Sequence, residues 1–193
     1  MITIALAKRG DEMQIAKIHK TEISKGFLSS LSLAFLKRFF RGLIESPASF
    51  CVVAKESNEV IGFMAGVSDM NKFYAYFLWH YFFQSFFILL PKAFSSFKKI
   101  LESLFYPTKE SSLPKAELLT IAVAKEFQGK GVASMMLPIF VAEMEKRNVA
   151  VFKVVVGEEL KNAIKFYEKN NFVFLRNTAI HGKNQSRVYI YNL

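Results

Sequence analysis

At 193 residues, with 52% hydrophobic and 15% aromatic side chains, the chain has the length of a single domain over 1–193 and ample apolar material for a core, which excludes a disordered or low-complexity protein. Its formal charge of +10 is carried by scattered lysines. With no arginine-rich block and no nucleic-acid motif, that charge reads as a generally basic surface, open to anionic lipid or a polyanionic small molecule and not to a specific nucleic acid.

The segment 1–9 is too short in its apolar part, and has its charges on the wrong side, for a secretory signal. Residues 3–7 alternate as a first strand. An amphipathic helix over 10–24 is predicted next, capped near Asp11, with His19 on its flank at the solvent boundary. Leu28, Leu31, Phe35, Leu36, Phe39, Phe40 and Leu43 recur at helical spacing and predict a second helix over 27–45, ended by Ser46-Pro47. Strands over 50–55 and 60–68 form a hairpin about the polar turn 56–59. The one cysteine, Cys51, falls in the first of these as a buried thiol that can make no internal disulfide, which fits a reducing cytoplasm.

The segment 70–115 breaks the pattern. No Asp, Glu, Lys or Arg occurs between 73 and 90, and more than half of those residues are aromatic. Pro91 closes this run, and a basic amphipathic stretch follows over 92–105. About 18 apolar residues is the threshold for a membrane span. His80, Gln84 and Ser85 interrupt the run, however, and a span would divide the domain across a bilayer. The segment is therefore read as a Phe-rich helical insertion that serves as a lid over a substrate cleft, as a homodimer interface through 73–106, or as a peripheral membrane contact. After a polar link over 109–115, the chain reads as strand 117–124, helix 131–147 and a β-branched, buried strand 149–156. A helix over 158–170 and strands over 172–177 and 187–191 complete it, the last two joined by a polar loop in which His181 is solvated.

Chemistry concentrates where strand 117–124 meets helix 131–147. The sequence Gln128-Gly129-Lys130-Gly131-Val132-Ala133-Ser134 places two glycines in a tight turn directly before a helix. Glycines let backbone N–H groups converge and a ligand approach. The helix start leaves N–H groups unpaired and carries partial positive charge. Together they form a phosphate nest, with Lys130 adding charge beside it. The alternative is a glycine connection needed only for tight packing. The P-loop and dinucleotide spacings are absent.

On these residues the chain resembles the GCN5-related N-acetyltransferase (GNAT) superfamily. Gln128-Gly129-Lys130-Gly131-Val132-Ala133 is similar to its Gln/Arg-x-x-Gly-x-Gly/Ala motif, and Ile121-Ala122-Val123 to the strand before it. Further on, the segment 163–172, ending Phe166-Tyr167-Glu168-Lys169-Asn170-Asn171-Phe172, resembles the family's later helix. The order of elements agrees along nearly the whole chain outside 70–115. The resemblance implies an α/β (α+β) fold with a mixed, mostly antiparallel sheet flanked by helices, its fourth and fifth strands splayed.

It further implies acetyl-CoA as cosubstrate, no metal, and transfer of the acetyl group to an amine of a small molecule or sugar; the alternatives are a protein N-terminus or lysine as acceptor, and a domain without catalysis that serves as a CoA-binding or membrane-surface interaction module. By the resemblance, the backbone of Ile121, Ala122 and Val123 would pair with the pantetheine arm. The N–H groups of Gln128, Gly129, Lys130, Gly131, Val132, Ala133 and Ser134 would hold the pyrophosphate. Tyr167 would protonate the leaving thiolate, which suits a phenol of pKa about 10 against a thiol of about 8.5; as an alternative it shares a packing stripe with Leu160, Ala163 and Ile164.

Two departures stand out. The Asn that many members carry seven residues before the tyrosine is Leu160 here, leaving the nearby Asn162, on a different helix face, as the candidate cofactor contact. Pro138 lies inside the motif helix and predicts a kink or a 3₁₀ turn there. Glu22 and Glu117 are candidate general bases, each with a solvated surface carboxylate as its alternative, and an ordered water could relay the proton in their place.

Overall fold

The computed structural model describes residues 1–24, 27–89, 113–181 and 184–193. One seven-stranded sheet organises them, in the order β1-β2-β3-β4-β5-β7-β6. The strands are β1 (Ile2–Leu6), β2 (Ser49–Glu56), β3 (Glu59–Val67), β4 (Glu117–Val123), β5 (Val151–Gly157), β6 (Val173–His181) and β7 (Asn184–Asn192). All neighbours are antiparallel except β4 and β5, which run parallel. This is the mixed, mostly antiparallel architecture expected from the sequence.

Helices cover both faces. On one face lie α1 (Glu12–Glu22), the short α2 (Phe27–Ser30), α3 (Leu33–Glu45) and α4 (Met70–Leu89). Their core joins Ile15, Phe40, Leu43, Phe73 and Phe77 to Val53, Phe63 and Ala122 of the sheet. The other face carries α5 (Val132–Lys146) and α6 (Lys161–Lys169), with Met136, Phe140, Ile164 and Tyr167 packed on Val52, Met64, Phe152 and Val154.

The expected helix over 27–45 is two helices. Ser32 stands extended between them and accepts a hydrogen bond from Phe35 N–H at 3.2 Å. A serine hydroxyl offers the backbone this alternative to continued helix, so the apolar spacing survives while the helix restarts. The 3₁₀ turn considered at Pro138 does not appear, since α5 is α-helical from end to end. Pro138 lies on the exposed side of the helix, where water can reach the carbonyl that a proline leaves unpaired.

The first part of the insertion belongs to the core. Phe73, Tyr74, Phe77 and Tyr81 of α4 are buried. Phe77 stacks edge-on against Phe35 and Phe39, and Tyr81 donates to the Glu45 carboxylate at the end of α3. Trp79 points outward and is exposed. Among the described residues, no helix is long and apolar enough to cross a membrane. The basic stretch over 92–105, and with it much of the interface expected over 73–106, lies outside the described residues.

His19 is not at a boundary. It is 2% exposed, with Nδ1 unpartnered and its ring against Phe40 and Phe63. Burial pulls its pKa from 6.5 down to about 4. Above pH 6.5 the imidazole is neutral in folded and unfolded chains alike. As pH falls through that value the unfolded state binds the proton first, so the fold loses about 2 kcal/mol by about pH 5. Urea unfolding near neutral pH and at about pH 5 is expected to show this loss, and His19→Phe to be without it. An identical acid response in the variant would place the sensitivity elsewhere.

Candidate functional site

The parallel strands β4 and β5 meet at one register pair, Glu117↔Lys153, extended by the Lys153 N–H to Ala116 carbonyl bond at 3.0 Å. Beyond it the strands part. On its other side β4 stays paired with β3 up to Gly62↔Val123, with a register shift that leaves Leu119 as an extra residue. A bulge of this kind increases local twist and turns the strand away from a regular ladder. The edge of β4 facing β5 from Leu118 to Val123 is thus without a ladder partner. It presents backbone donors and acceptors along a slot through the sheet, and Ile121, Ala122 and Val123 lie on it.

A charged pair holds the closed end of the slot. Lys153 is 2% exposed, and its ammonium lies 3.0 Å from Glu117 Oε2 and 2.5 Å from the Pro114 carbonyl, to which it donates. Glu117 is likewise buried, so it is not the solvated carboxylate that the sequence offered as an alternative. Burial raises its pKa, while Lys153 acts to lower it. Tyr74 of α4 is close enough for Glu117 to raise its hydroxyl pKa further, beyond the larger effect of burial. The insertion begins at this end of β4, where the Met70 N–H of α4 donates to the Lys115 carbonyl at 3.1 Å.

At the open end β4 runs into a 3₁₀ turn, Lys125–Phe127, and then the glycine turn. Gly129 and Gly131 take φ of 75° and 80°, a left-handed conformation that strains other residues. No atom would lie within 4 Å of a Cβ at either position, so the turn is an open cradle and not a packing contact. Gly131 caps α5 without a side-chain bond. The first N–H groups of the helix, those of Val132, Ala133 and Ser134, accordingly have no intrahelical acceptor. Gln128, Gly129, Lys130, Gly131 and Ser134 are exposed while Val132 is buried. Lys130 Nζ sits 5.4 Å over the Phe127 ring. The arrangement fits a pyrophosphate group: convergent donors, a helix start, a cation and free space.

The side chain of Gln128 is used inward. Its amide donates to the Val123 carbonyl at 2.8 Å and to Glu22 Oε2 at 3.0 Å, while Glu22 Oε1 accepts from Lys125 N–H at 3.3 Å. Nothing in the sequence flags a partnership between positions this far apart.

Tyr167 is buried on α6 among Phe166, Phe172 and Tyr189. Burial pushes its hydroxyl pKa well above the ordinary tyrosine value, so the phenol keeps its proton over any ordinary working pH. Leu160 is not part of a buried stripe with it: it is the exposed residue before α6. Asn162, in the first helical turn, is exposed as well. The structure therefore does not bring Asn162 to the side of the helix that Tyr167 buries.

The family model described as the acetyltransferase (GNAT) family matches residues 14–172. Solved structures agree with the fold. Ard1 from Thermoplasma volcanium superposes with a TM-score of 0.64 at 17% identity, over 100% of this chain and 97% of that one. The ribosomal-protein-S18-alanine N-acetyltransferase of Escherichia coli gives 0.62 at 14%, over 100% and 94%. YncA of Salmonella typhimurium, solved with its cofactor acetyl-CoA, gives 0.63 at 11%, over 99% and 93%. At such identities the likeness is one of fold. No curated protein matches the sequence.

Proposed function

This chain belongs to the acetyltransferase (GNAT) family, and we propose that it moves an acetyl group from acetyl-CoA to the amine of a small molecule or sugar by direct attack. The observation that carries the reading is the slot between β4 and β5, closed at Glu117↔Lys153 and open beside the glycine turn of α5. In this reading the N–H groups at Gly131, Val132, Ala133 and Ser134 hold the pyrophosphate. The free edge of β4 at Ile121–Val123 aligns the pantetheine arm, and its amides polarise the thioester carbonyl. Tyr167, which burial keeps protonated, supplies the proton to the departing thiolate. Glu117 is tied to Lys153, and Glu22 to Lys125 and Gln128. Neither carboxylate is poised as a base, and the proton of the amine leaves through water.

A compact acceptor is supported by the seating of α4, which packs beside α3 and is bonded through its Met70 N–H to the Lys115 carbonyl, just before β4 begins. A wall there would crowd an extended polypeptide. The solved relatives include a ribosomal-protein-S18-alanine N-acetyltransferase, and likeness of fold does not carry its acceptor over.

Thiol release from acetyl-CoA tests the proposal, with amino sugars, polyamines and amino acids offered beside short peptides. Turnover is expected with one of the small amines and not with peptides, and Tyr167→Phe is expected to lower kcat about 100-fold, the low end for a general acid. Turnover restricted to peptides would replace the acceptor class. A wild-type rate in the phenylalanine variant would remove Tyr167 from the chemistry, and with no turnover at all the domain would stand as a CoA-binding module.

A further inference from the structure

Glu22 ends α1, where the helix dipole disfavours a carboxylate. It also brings a carboxylate against a turn whose proposed ligand is an anion, so electrostatics oppose its position twice. What the position supplies is a pair of hydrogen bonds. One oxygen accepts the Lys125 N–H at 3.3 Å, and the other accepts the Gln128 amide at 3.0 Å. The same Gln128 amide also grips the Val123 carbonyl at 2.8 Å, so Glu22, Gln128 and the end of β4 form one continuous clamp.

The clamp joins two unequal bodies. α1 is rigidly seated, with Ile15, Ala16 and His19 buried against α3 and the sheet. The stretch over 125–131 is exposed at most positions. Among the described residues, the hydrogen bonds that tie 124–128 to other elements are the two that Glu22 accepts, the Gln128 amide to Val123 carbonyl bond and the Ala124 N–H to Ile61 carbonyl bond, the last two at 2.8 Å. The remaining bonds, Phe127 N–H to Ala124 and Gln128 N–H to Lys125, are internal to the turn.

We propose that Glu22 is a positioning residue for the cofactor turn: through Lys125 N–H and Gln128 it sets the conformation in which the backbone at Gly129 and Gly131 meets the pyrophosphate, and it takes no proton from the acceptor. The inference rests on the functional reading above and assigns that site a residue outside its motif. A carboxamide has one acceptor oxygen and turns its NH2 toward the second donor, so it keeps one of the two bonds and cannot act as a base, which separates the two roles.

The test compares Glu22→Ala and Glu22→Gln with the wild type by calorimetric titration of acetyl-CoA and by thiol release at saturating acetyl-CoA. Amide hydrogen exchange over 123–131 is followed without ligand. The alanine variant is expected to bind acetyl-CoA about tenfold more weakly, the cost of one to two lost hydrogen bonds, to exchange faster over 123–131, and to keep kcat within about twofold. The glutamine variant, which keeps one of the two bonds, is expected to fall between the alanine variant and the wild type in affinity and exchange, with kcat again within about twofold. Unchanged affinity and exchange in Glu22→Ala would overturn the proposal. So would a Glu22→Gln protein that saturates with acetyl-CoA and has lost turnover, because Glu22 would then be the base. Wild-type protein that binds no acetyl-CoA would instead bring down the functional reading, and this inference with it. A wild type that binds while Glu22→Ala binds equally well removes this inference alone.

Discussion

Gly131→Asp is expected to weaken acetyl-CoA binding more than a hundredfold while the protein stays folded. The backbone at Gly131 has a φ of 80°, and a Cβ there would meet nothing within 4 Å, so the substitution introduces no clash. Holding a non-glycine residue in that conformation costs about 1–2 kcal/mol, and less for Asp, which visits it more readily than most. The larger effect is on the ligand. A carboxylate would stand at the start of α5, where a pyrophosphate is to sit against the N–H groups of Val132, Ala133 and Ser134. Two unit charges about 4 Å apart repel by about 4 kcal/mol at an effective dielectric of about 20, which alone amounts to about a thousandfold in Kd. Calorimetric titration with acetyl-CoA reads the effect, and Gly131→Asn, similar in size and neutral, serves as the control. The asparagine variant is expected to retain most of the affinity that the aspartate variant loses. Equal, modest losses in both would mean that the turn does not receive the phosphates.

Part of this site can be read in the sequence because its chemistry is local. A strand, two glycines and a helix start lie within fifteen residues, and a nest of backbone donors depends on nothing further away. The central strands were legible for a similar reason. The β-branched run around Val154 can hardly be other than a buried strand, and the hairpin turn at Ser57 and Asn58 takes the positive φ values its composition suggests. What escaped the sequence depends on long-range pairing. Lys153 interrupts an apolar strand, and its reason appears only when β4 lies parallel to β5 and brings Glu117 beside it. His19 looked like a flank residue because its helix carries lysines on either side of it, yet Phe40 and Phe63 come from other elements to bury it. The aromatic insertion was ambiguous for the same cause. Its uncharged aromatic run reads as a helical insertion, but only the seating of Phe73 and Phe77 on α3 shows that its first turns complete the core.

Lys153→Met is expected to cost about 3–5 kcal/mol of folding stability, the range for breaking a buried ion pair from one side. The backbone bond from the residue 153 N–H to Ala116 survives the change, so the loss falls on Glu117, left buried with its charge uncompensated. Burial already raises the Glu117 pKa, and Lys153 is what acts against that rise. Without the lysine, the folded-state pKa moves further above the unfolded value, and folding then favours the protonated form. The penalty is therefore greatest above the folded pKa and shrinks as pH falls through it. Denaturant unfolding of the variant should show a deficit near neutral pH that narrows on acidification. A second substitution, Glu117→Leu, is expected to restore most of the stability, since removing both charges also removes the cost of burying them. If the double variant stays as unstable as the single one, the pair is not the source of the effect, and packing of the lysine stem is. Restored stability without restored acetyl-CoA affinity would have a separate meaning. The apolar replacements would then fill the space without reproducing the 3.0 Å contact that joins β4 to β5, and the width of the slot would depend on that contact.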